Sequence, residues 1–391
     1  APPMVLFSLA AVGWSANAEG GAGGPLAVLI IAIIAAALCL SAAAQTPRNV
    51  EYVFTEASDL QLTGKLFTDT PNPYHRVDTV KFKGFTKGEN LQVRESSGIA
   101  CAFRTNSTTI SVKTVYETPT WPSNGNGFSG RGFDLYVKDG GVWKWAASGV
   151  NSDKKLADNL VLIKDMAPGE KECLLYLPNY CEILSCQIGV EKGATIEKLE
   201  SPFRHKIVFH GSSFTHGISP SRSGMTYPAQ LMRRTGMQVL PFGMSGNCKL
   251  QQYFADVLVD VEADAYVFDA FSNPDYKMIE ERLQPFIDRL VAAHPGKPLI
   301  FQQTIRREGR NFNQTLDARE RAKQDMATTL FHELLKDPKY KDVYFIQTRA
   351  FEPGSHEYSV DGTHPDDHGY YLWSKSIEKP ILKILAKYGI K

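Results

Sequence analysis

The sequence predicts an α/β protein: a doubly wound parallel sheet in its carboxyl-terminal half, preceded by an antiparallel β-sandwich. Three observations carry this expectation. Residues 49–201 hold short alternating apolar and polar runs separated by Gly, Pro, Asn and Asp; no long amphipathic helix interrupts them; and after Phe203 strand-like and helical stretches alternate. At 391 residues the chain is also too long for one ordinary core, so more than one domain is expected.

Residues 1–44 are set aside as a signal or targeting segment. The uncharged run Leu26-Ala-Val-Leu-Ile-Ile-Ala-Ile-Ile-Ala-Ala-Ala-Leu-Cys-Leu40 is followed by small residues, Ser41-Ala-Ala-Ala44, which fit the cleavage site of an export signal. No Lys or Arg precedes the run, and a second apolar stretch with its own small-residue site, Ala16-Asn-Ala18, lies upstream. The run also approaches the roughly 20 residues that cross a bilayer, so an uncleaved anchor stays open beside cleavage. Export to the periplasm or the cell exterior is expected, with membrane contact only through this segment.

Beyond it, composition excludes more than it selects. A net charge of +1 leaves no basic excess to neutralise a phosphate backbone, which argues against nucleic acid as a partner. Cys101, Cys173, Cys181, Cys186 and Cys248 remain, an odd number without C-x-x-C spacing, so neither a zinc site nor a full disulfide framework is indicated. Cys181 with Cys186, or Cys173 with either, could bridge in an oxidising compartment; buried free thiols are the other reading.

Residues 45–202 form the expected sandwich. Its strand-like runs are 80–84, 99–103, 109–115, 133–137, 142–145 and 171–177, punctuated by turn signals such as Asp139-Gly-Gly141 and Pro122-Ser-Asn-Gly-Asn-Gly127. Residues 203–391 form the expected α/β part, with strands at 206–210, 238–242, 265–270, 298–303 and 343–347. Helical stretches at 227–234, 278–293 and 316–335 alternate with them, the signature of a parallel sheet covered on both faces.

Most of these strands end in something reactive or glycine-rich. Gly211-Ser-Ser213 follows the first and Gly243-Met-Ser-Gly-Asn247 the second. Phe271-Ser-Asn273-Pro follows the third, and Asp361-Gly-Thr-His364-Pro comes after the fifth, past the turn Glu352-Pro-Gly354. In a parallel sheet all these loops lie at one edge, where such folds bind ligands. A serine hydroxyl needs a base within hydrogen-bond reach, itself held in one tautomer by a carboxylate; Ser213, His364 and Asp361 suit these parts. Attack on an ester carbonyl requires donors for the developing oxyanion, and the N–H groups of Ser213 and Gly246 with the Asn273 amide would supply them. His210 and His216 read as structural.

These four blocks, Gly211-Ser-Ser213-Phe-Thr-His-Gly217, Ser245-Gly246-Asn247, Asn273 and Asp361-Gly-Thr-His364, resemble in order the blocks of the SGNH (GDSL-type) hydrolase superfamily. Gly132-Phe-Asp-Leu-Tyr136 resembles the G-x-D-L-Y motif of the β-rich domain that precedes a bacterial subgroup of these hydrolases. The resemblance implies a flavodoxin-like catalytic domain behind a jelly-roll-like sandwich, and a serine esterase with catalytic Ser213, Asp361 and His364 and an oxyanion hole of Ser213, Gly246 and Asn273. It implies no cofactor and no metal. Two departures are visible: Ser212 stands where the commoner pattern has Asp, and Asn273 sits in Ser-Asn-Pro rather than Gly-x-Asn-Asp.

Competing readings concern the chemistry and the substrate. Asp361, His364, Asp366, Asp367 and His368 have the chemistry of a metal cluster. The α/β part could be an inactive hydrolase beside a carbohydrate-binding sandwich, or a lipase or phospholipase-like enzyme. The connections after the strands are short or polar, however, as in Ser219-Pro-Ser-Arg-Ser-Gly224 and Arg306-Arg-Glu-Gly-Arg-Asn-Phe-Asn313, with no apolar insertion long enough for a lid. The expected substrate is therefore a short acyl ester, acetyl above all, of a glycan or other polar alcohol.

Overall fold

The computed structural model describes residues 50–118, 122–348, 350–351 and 355–391; the expected signal segment and the turn Glu352-Pro-Gly354 lie outside them. Strands β1 (Tyr52–Glu56) and β2 (Gln61–Thr63) precede a long connection and a short helix, α1 (Lys87–Gln92), closed by a reciprocal cap between Thr86 and Glu89. The chain continues through β3 (Ala100–Thr105), β4 (Ile110–Thr118), α2 (Gly127–Arg131), β5 (Phe133–Asp139), β6 (Val142–Gly149), β7 (Leu160–Ile163), β8 (Lys171–Tyr176), β9 (Glu182–Glu191) and β10 (Ile196–Lys198). These strands make two antiparallel sheets, ordered β1-β9-β4-β7 and β10-β3-β8-β5-β6, with β2 paired to β3.

The sandwich core follows from the pleat. Cys101 and Phe103 of β3, Ile110 and Val112 of β4, Cys173 and Leu175 of β8, and Cys186 and Ile188 of β9 meet in one buried cluster, two residues apart along each strand. Cys101, Cys173, Cys181, Cys186 and Cys248 are all unbridged and buried, so none of the suggested disulfides forms. Burial pushes the Cys173 thiol up to about 12, which leaves it a small apolar side chain at neutral pH.

One expected strand is absent. Residues 80–84 are turn and irregular chain: Val80 stands in solvent, while Phe82 anchors the segment in the core of the α/β part. The alternation there marks one buried anchor rather than a pleated surface. Conversely β9, ten residues long and central to its sheet, was not among the expected runs.

After β10 come β11 (Arg204–Gly211), α3 (Ser213–His216), α4 (Tyr227–Thr235), β12 (Met237–Gly243), α5 (Gln252–Val259), β13 (Ala265–Asp269), α6 (Tyr276–Ala293), β14 (Leu299–Gln302), α7 (Gln314–Leu334), β15 (Val343–Ile346) and α8 (Asp367–Leu385). All five strands are parallel, in the order β12-β11-β13-β14-β15. Successive side chains take opposite faces: Val208, Leu240 and Phe268 pack with Phe254, Phe286 and Phe331 from α5, α6 and α7, whereas Ile207, Val239 and Val267 pack with Leu231 of α4 and Trp373 of α8. Burial on both faces is why these strands read as continuous apolar runs. The order reverses beside β11, so the crevice of such a sheet opens at the carboxyl end of that strand.

The sandwich and the α/β part share these cores. Leu66, Val77, Phe82 and Val93 join the face covered by α5 to α7, and Tyr136, Leu174 and Tyr176 join the other. The Gly132-Phe-Asp-Leu-Tyr136 stretch is part of the seam. Leu135 enters the sandwich core, Asp134 accepts from the Gly224 N–H at 2.9 Å and lies 3.4 Å from Arg222, and Arg233 of α4 sits 4.0 Å from the Tyr136 ring centre. Burial pushes the Asp134 carboxyl up to about 6 against the pull of Arg222.

Candidate active site

Ser213 is the first residue of α3, immediately beyond β11. Ser212 caps that helical turn, its Oγ accepting from the Phe214 N–H at 3.2 Å, and Gly217 closes the turn with φ of 96°. The two serines face different surroundings. Ser212 Oγ donates to Asp269 Oδ2 at 2.8 Å in the interior, whereas Ser213 Oγ meets His364 Nε2 at 2.9 Å. Asp269, at the end of β13, is fully buried and also accepts from the Ser212 N–H and the hydroxyls of Thr215 and Ser272. Burial raises its carboxyl to about 6 in spite of these donors, so Asp269 serves as the anchor of the Ser213 turn.

Asp361 and His364 share one turn, which Gly362 permits with φ of 78°. Asp361 Oδ1 accepts from the N–H groups of Thr363 (3.0 Å) and His364 (2.8 Å), and its Oδ2 lies 2.7 Å from His364 Nδ1. Burial opposes the charge on Asp361, but hydrogen bonds from Asn124 and from the backbone and ring of His364 outweigh it and hold the carboxyl far below its ordinary value. Burial lowers the His364 pKa; the bond to Asp361 works against this and the charge of Arg307 works with it. The ring is therefore neutral at neutral pH, with Nδ1 held by a carboxylate and Nε2 facing a hydroxyl.

A cavity of about 310 Å³ opens over this pair. Ser213, His364, Gly246 and Asn273 all line it, together with Asn124, Tyr180, Ser245, Arg307, Thr363, Pro122 and Ile218. The expected residues are thus brought to one place. Asn273 Oδ1 accepts from the Cys248 N–H at 3.2 Å, which sets the flip of the amide and leaves Nδ2 for a ligand. Gly246 has φ of 71°, and a side chain there would meet nothing within 4 Å, so the loop is open above it. A larger cavity, about 760 Å³, lies around His205, Asp264 and Lys297 at the amino-terminal end of the strands, away from the nucleophilic groups.

Several supporting residues gave no sequence signal. Arg76, fully buried, donates to Glu95 O and Gly243 O at 2.9 Å each and to Gln92 O; Gln92 in turn donates to Ser245 O at 2.9 Å. The loop after β12 is therefore held from α1. Tyr180 bonds Ser245 Oγ at 2.6 Å and stacks on the His216 ring, whose Nε2 lies 2.9 Å from Asn179 O and 3.0 Å from Glu95. His210 Nδ1 lies 2.9 Å from Phe242 O in the interior. Both histidines are structural supports. Arg307 donates to Ser272 O at 2.6 Å, and Glu308 accepts from Tyr358 and Ser359, tying the loop after β14 to the turn of His364.

The carboxylates of the metal reading go elsewhere. Asp366 caps α8 through the Gly369 N–H at 2.8 Å, and Asp367 accepts from the Ser221 N–H at 2.7 Å and its hydroxyl. Among the described residues no three His, Cys, Asp or Glu side chains are grouped to hold a metal ion. Nor, among them, is any helix long and apolar enough to cross a membrane. What remains is an arrangement that can activate a hydroxyl and steady an oxyanion.

Comparison with known proteins points the same way. Residues 204–383 match the model of the GDSL-like lipase/acylhydrolase family, and residues 50–196 match that of the N-terminus of SGNH-hydrolase-type esterases. A GDSL-like lipase from Bacteroides ovatus is similar in structure with a TM-score of 0.82 and 38% identity, over 86% of this chain and 98% of that one. A salicylyl-acyltransferase from a tetracycline biosynthetic pathway (TM-score 0.65, 18% identity, 87% and 99% covered) and a family two carbohydrate esterase from Cellvibrio japonicus (0.56, 11%, 86% and 98%) share the fold. No curated protein matches the chain.

Proposed function

Because the chain belongs to the GDSL-like lipase/acylhydrolase family, we propose that it is a serine esterase that removes a short acyl group, acetyl above all, from a glycan or another polar alcohol. The observation that carries this reading is the unbroken chain from Ser213 Oγ through His364 to Asp361, set in a small cavity beside Gly246 and Asn273 whose lining residues are mostly polar.

Attack begins as His364 Nε2 takes the Ser213 proton while Oγ bonds to the ester carbonyl carbon. The carbonyl electron pair moves to oxygen, where the N–H groups of Ser213 and Gly246 and the Asn273 amide receive the charge. When the intermediate collapses, the bond to the alcohol oxygen breaks and that oxygen takes the proton from His364. Water then repeats the sequence on the acyl-enzyme, releasing the acid and restoring Ser213. Asp361 stays ionised throughout and stabilises the transient imidazolium.

The preference for a short acyl group rests on the cavity. Each buried methylene contributes only about 0.8 kcal/mol, so long chains need an extended apolar wall. Here Ile218 and Pro122 are the apolar side chains of the lining, and Asn124, Tyr180, Arg307 and Thr363 are polar. A polar alcohol finds hydrogen-bond partners there. The apolar run ending at Leu40 supports export, and with it an extracellular or periplasmic substrate. A series of p-nitrophenyl esters tests the reading: kcat/KM should be highest from acetyl to butyryl and fall beyond, and a maximum at octanoyl or longer would overturn it.

A further inference from the structure

Resting on the esterase reading above, we propose that Asn124, supplied by the sandwich, is a positioning residue for the Asp361–His364 pair. It lies between β4 and α2, 237 residues before Asp361. Its Nδ2 donates to Asp361 Oδ2 at 2.9 Å and lies 3.1 Å from His364 Nδ1. The opposite flip of the amide would set its oxygen against the carboxylate, so the nitrogen faces the pair.

The geometry gives this contact a direction of action. In the reactive tautomer Nδ1–H donates to Asp361 Oδ2, and the Asn124 N–H converges on the same oxygen. Asp361 is partly open to solvent, its side chain 32% exposed. Asn124 therefore occupies a position from which water would otherwise compete for Oδ2, and fixes the oxygen that orients the ring. Its N–H dipole also lies beside the Nδ1–H of an imidazolium, disfavouring that form. Asp361, Ser213, Arg307 and the edge-on ring of Phe214 are the other groups facing His364.

The loop itself is fixed without the Asn124 side chain. Ser219 Oγ donates to the backbone carbonyl of Asn124 at 2.7 Å, Asn126 Nδ2 donates to Pro220 O at 2.7 Å, and Asn126 Oδ1 caps α2 through the Ser129 N–H at 3.0 Å. Replacing the amide thus removes the contact and leaves the loop in place.

The test is steady-state hydrolysis of p-nitrophenyl acetate by the full chain across pH, for wild type, Asn124→Ala, Asn124→Asp and Ser213→Ala, with melting temperatures alongside. Asn124→Ala should lower kcat roughly 10- to 100-fold, the scale on which misplacing a reacting group acts. KM for p-nitrophenyl acetate should change less than about twofold, since this substrate carries no sugar hydroxyl for the Asn124 amide to bond. The acid limb of kcat/KM should move to higher pH, and further in Asn124→Asp, where a second negative charge favours the imidazolium. Unchanged kcat and pH profile in both variants would overturn the proposal, as would losses that follow melting temperature with no shift of the limb. An active wild type with an inactive Ser213→Ala keeps the esterase reading standing while Asn124 is judged on its own; a wild type inert toward every ester removes both.

Discussion

Two adjacent serines with the same side chain do different work because of what lies within 3 Å of each. Ser212 is spent on Asp269, a bond internal to the fold, and Ser213 is left to His364. Ser212 thereby stands in the position where the commoner family pattern has Asp, and its hydroxyl is unavailable to substrate. At the same scale the buried imidazole sets the pH dependence. His364 must be neutral to take the Ser213 proton, and burial, helped by Arg307, lowers its pKa in spite of Asp361. A lowered pKa keeps the ring neutral further into acid. Esterase kcat/KM should therefore rise with pH to a plateau whose midpoint lies below the ordinary histidine value of about 6.5. A midpoint above that value in a pH-rate profile would contradict the electrostatics of the site.

Elements decide which of these residues could be read from sequence. The five parallel strands were legible because both their faces are buried, which leaves unbroken runs such as Ile207-Val-Phe209, and the site blocks were legible because each follows such a run. β9 was missed because its ten residues mix Glu182, Ser185, Gln187 and Glu191 with apolar ones, and 80–84 was misread because alternation does not reveal whether a partner strand exists. Asn124, Asp269 and Arg76 gave no signal at all, since each acts through contacts distant in sequence. Packing between elements also shows where the α3 turn is tightest. A methyl at Gly243, the last residue of β12, would come within 1.9 Å of the His216 backbone nitrogen, whereas at Gly236, which is in the left-handed region, it would meet nothing within 4 Å. In urea unfolding Gly236→Ala should cost about 1 to 2 kcal/mol from backbone strain, and Gly243→Ala about 3 kcal/mol or more from the clash. Equal costs would mean that α3 and β12 are less closely packed than described.

On the scale of the whole molecule, the sandwich is part of the catalytic half's interior. Val77, Phe82 and Val93 fill one face of the α/β core, Tyr136 and Tyr176 the other, and Arg76 holds the carbonyl of Gly243. Residues 203–391 expressed alone would expose all of these contacts. That fragment should be insoluble, or unfold at much lower denaturant than the full chain; equal stability and equal esterase specificity would show that the seam is incidental.

The central claim is that Ser213, activated by His364, carries out acyl transfer in this cavity. Labelling the full chain with a fluorophosphonate probe and mapping the modified residue by peptide mass spectrometry tests it most directly. Ser213 alone should be modified, and His364→Ala should abolish the labelling while leaving the melting temperature near that of wild type. Modification at Ser212 or elsewhere, or undiminished labelling of His364→Ala, would contradict the account.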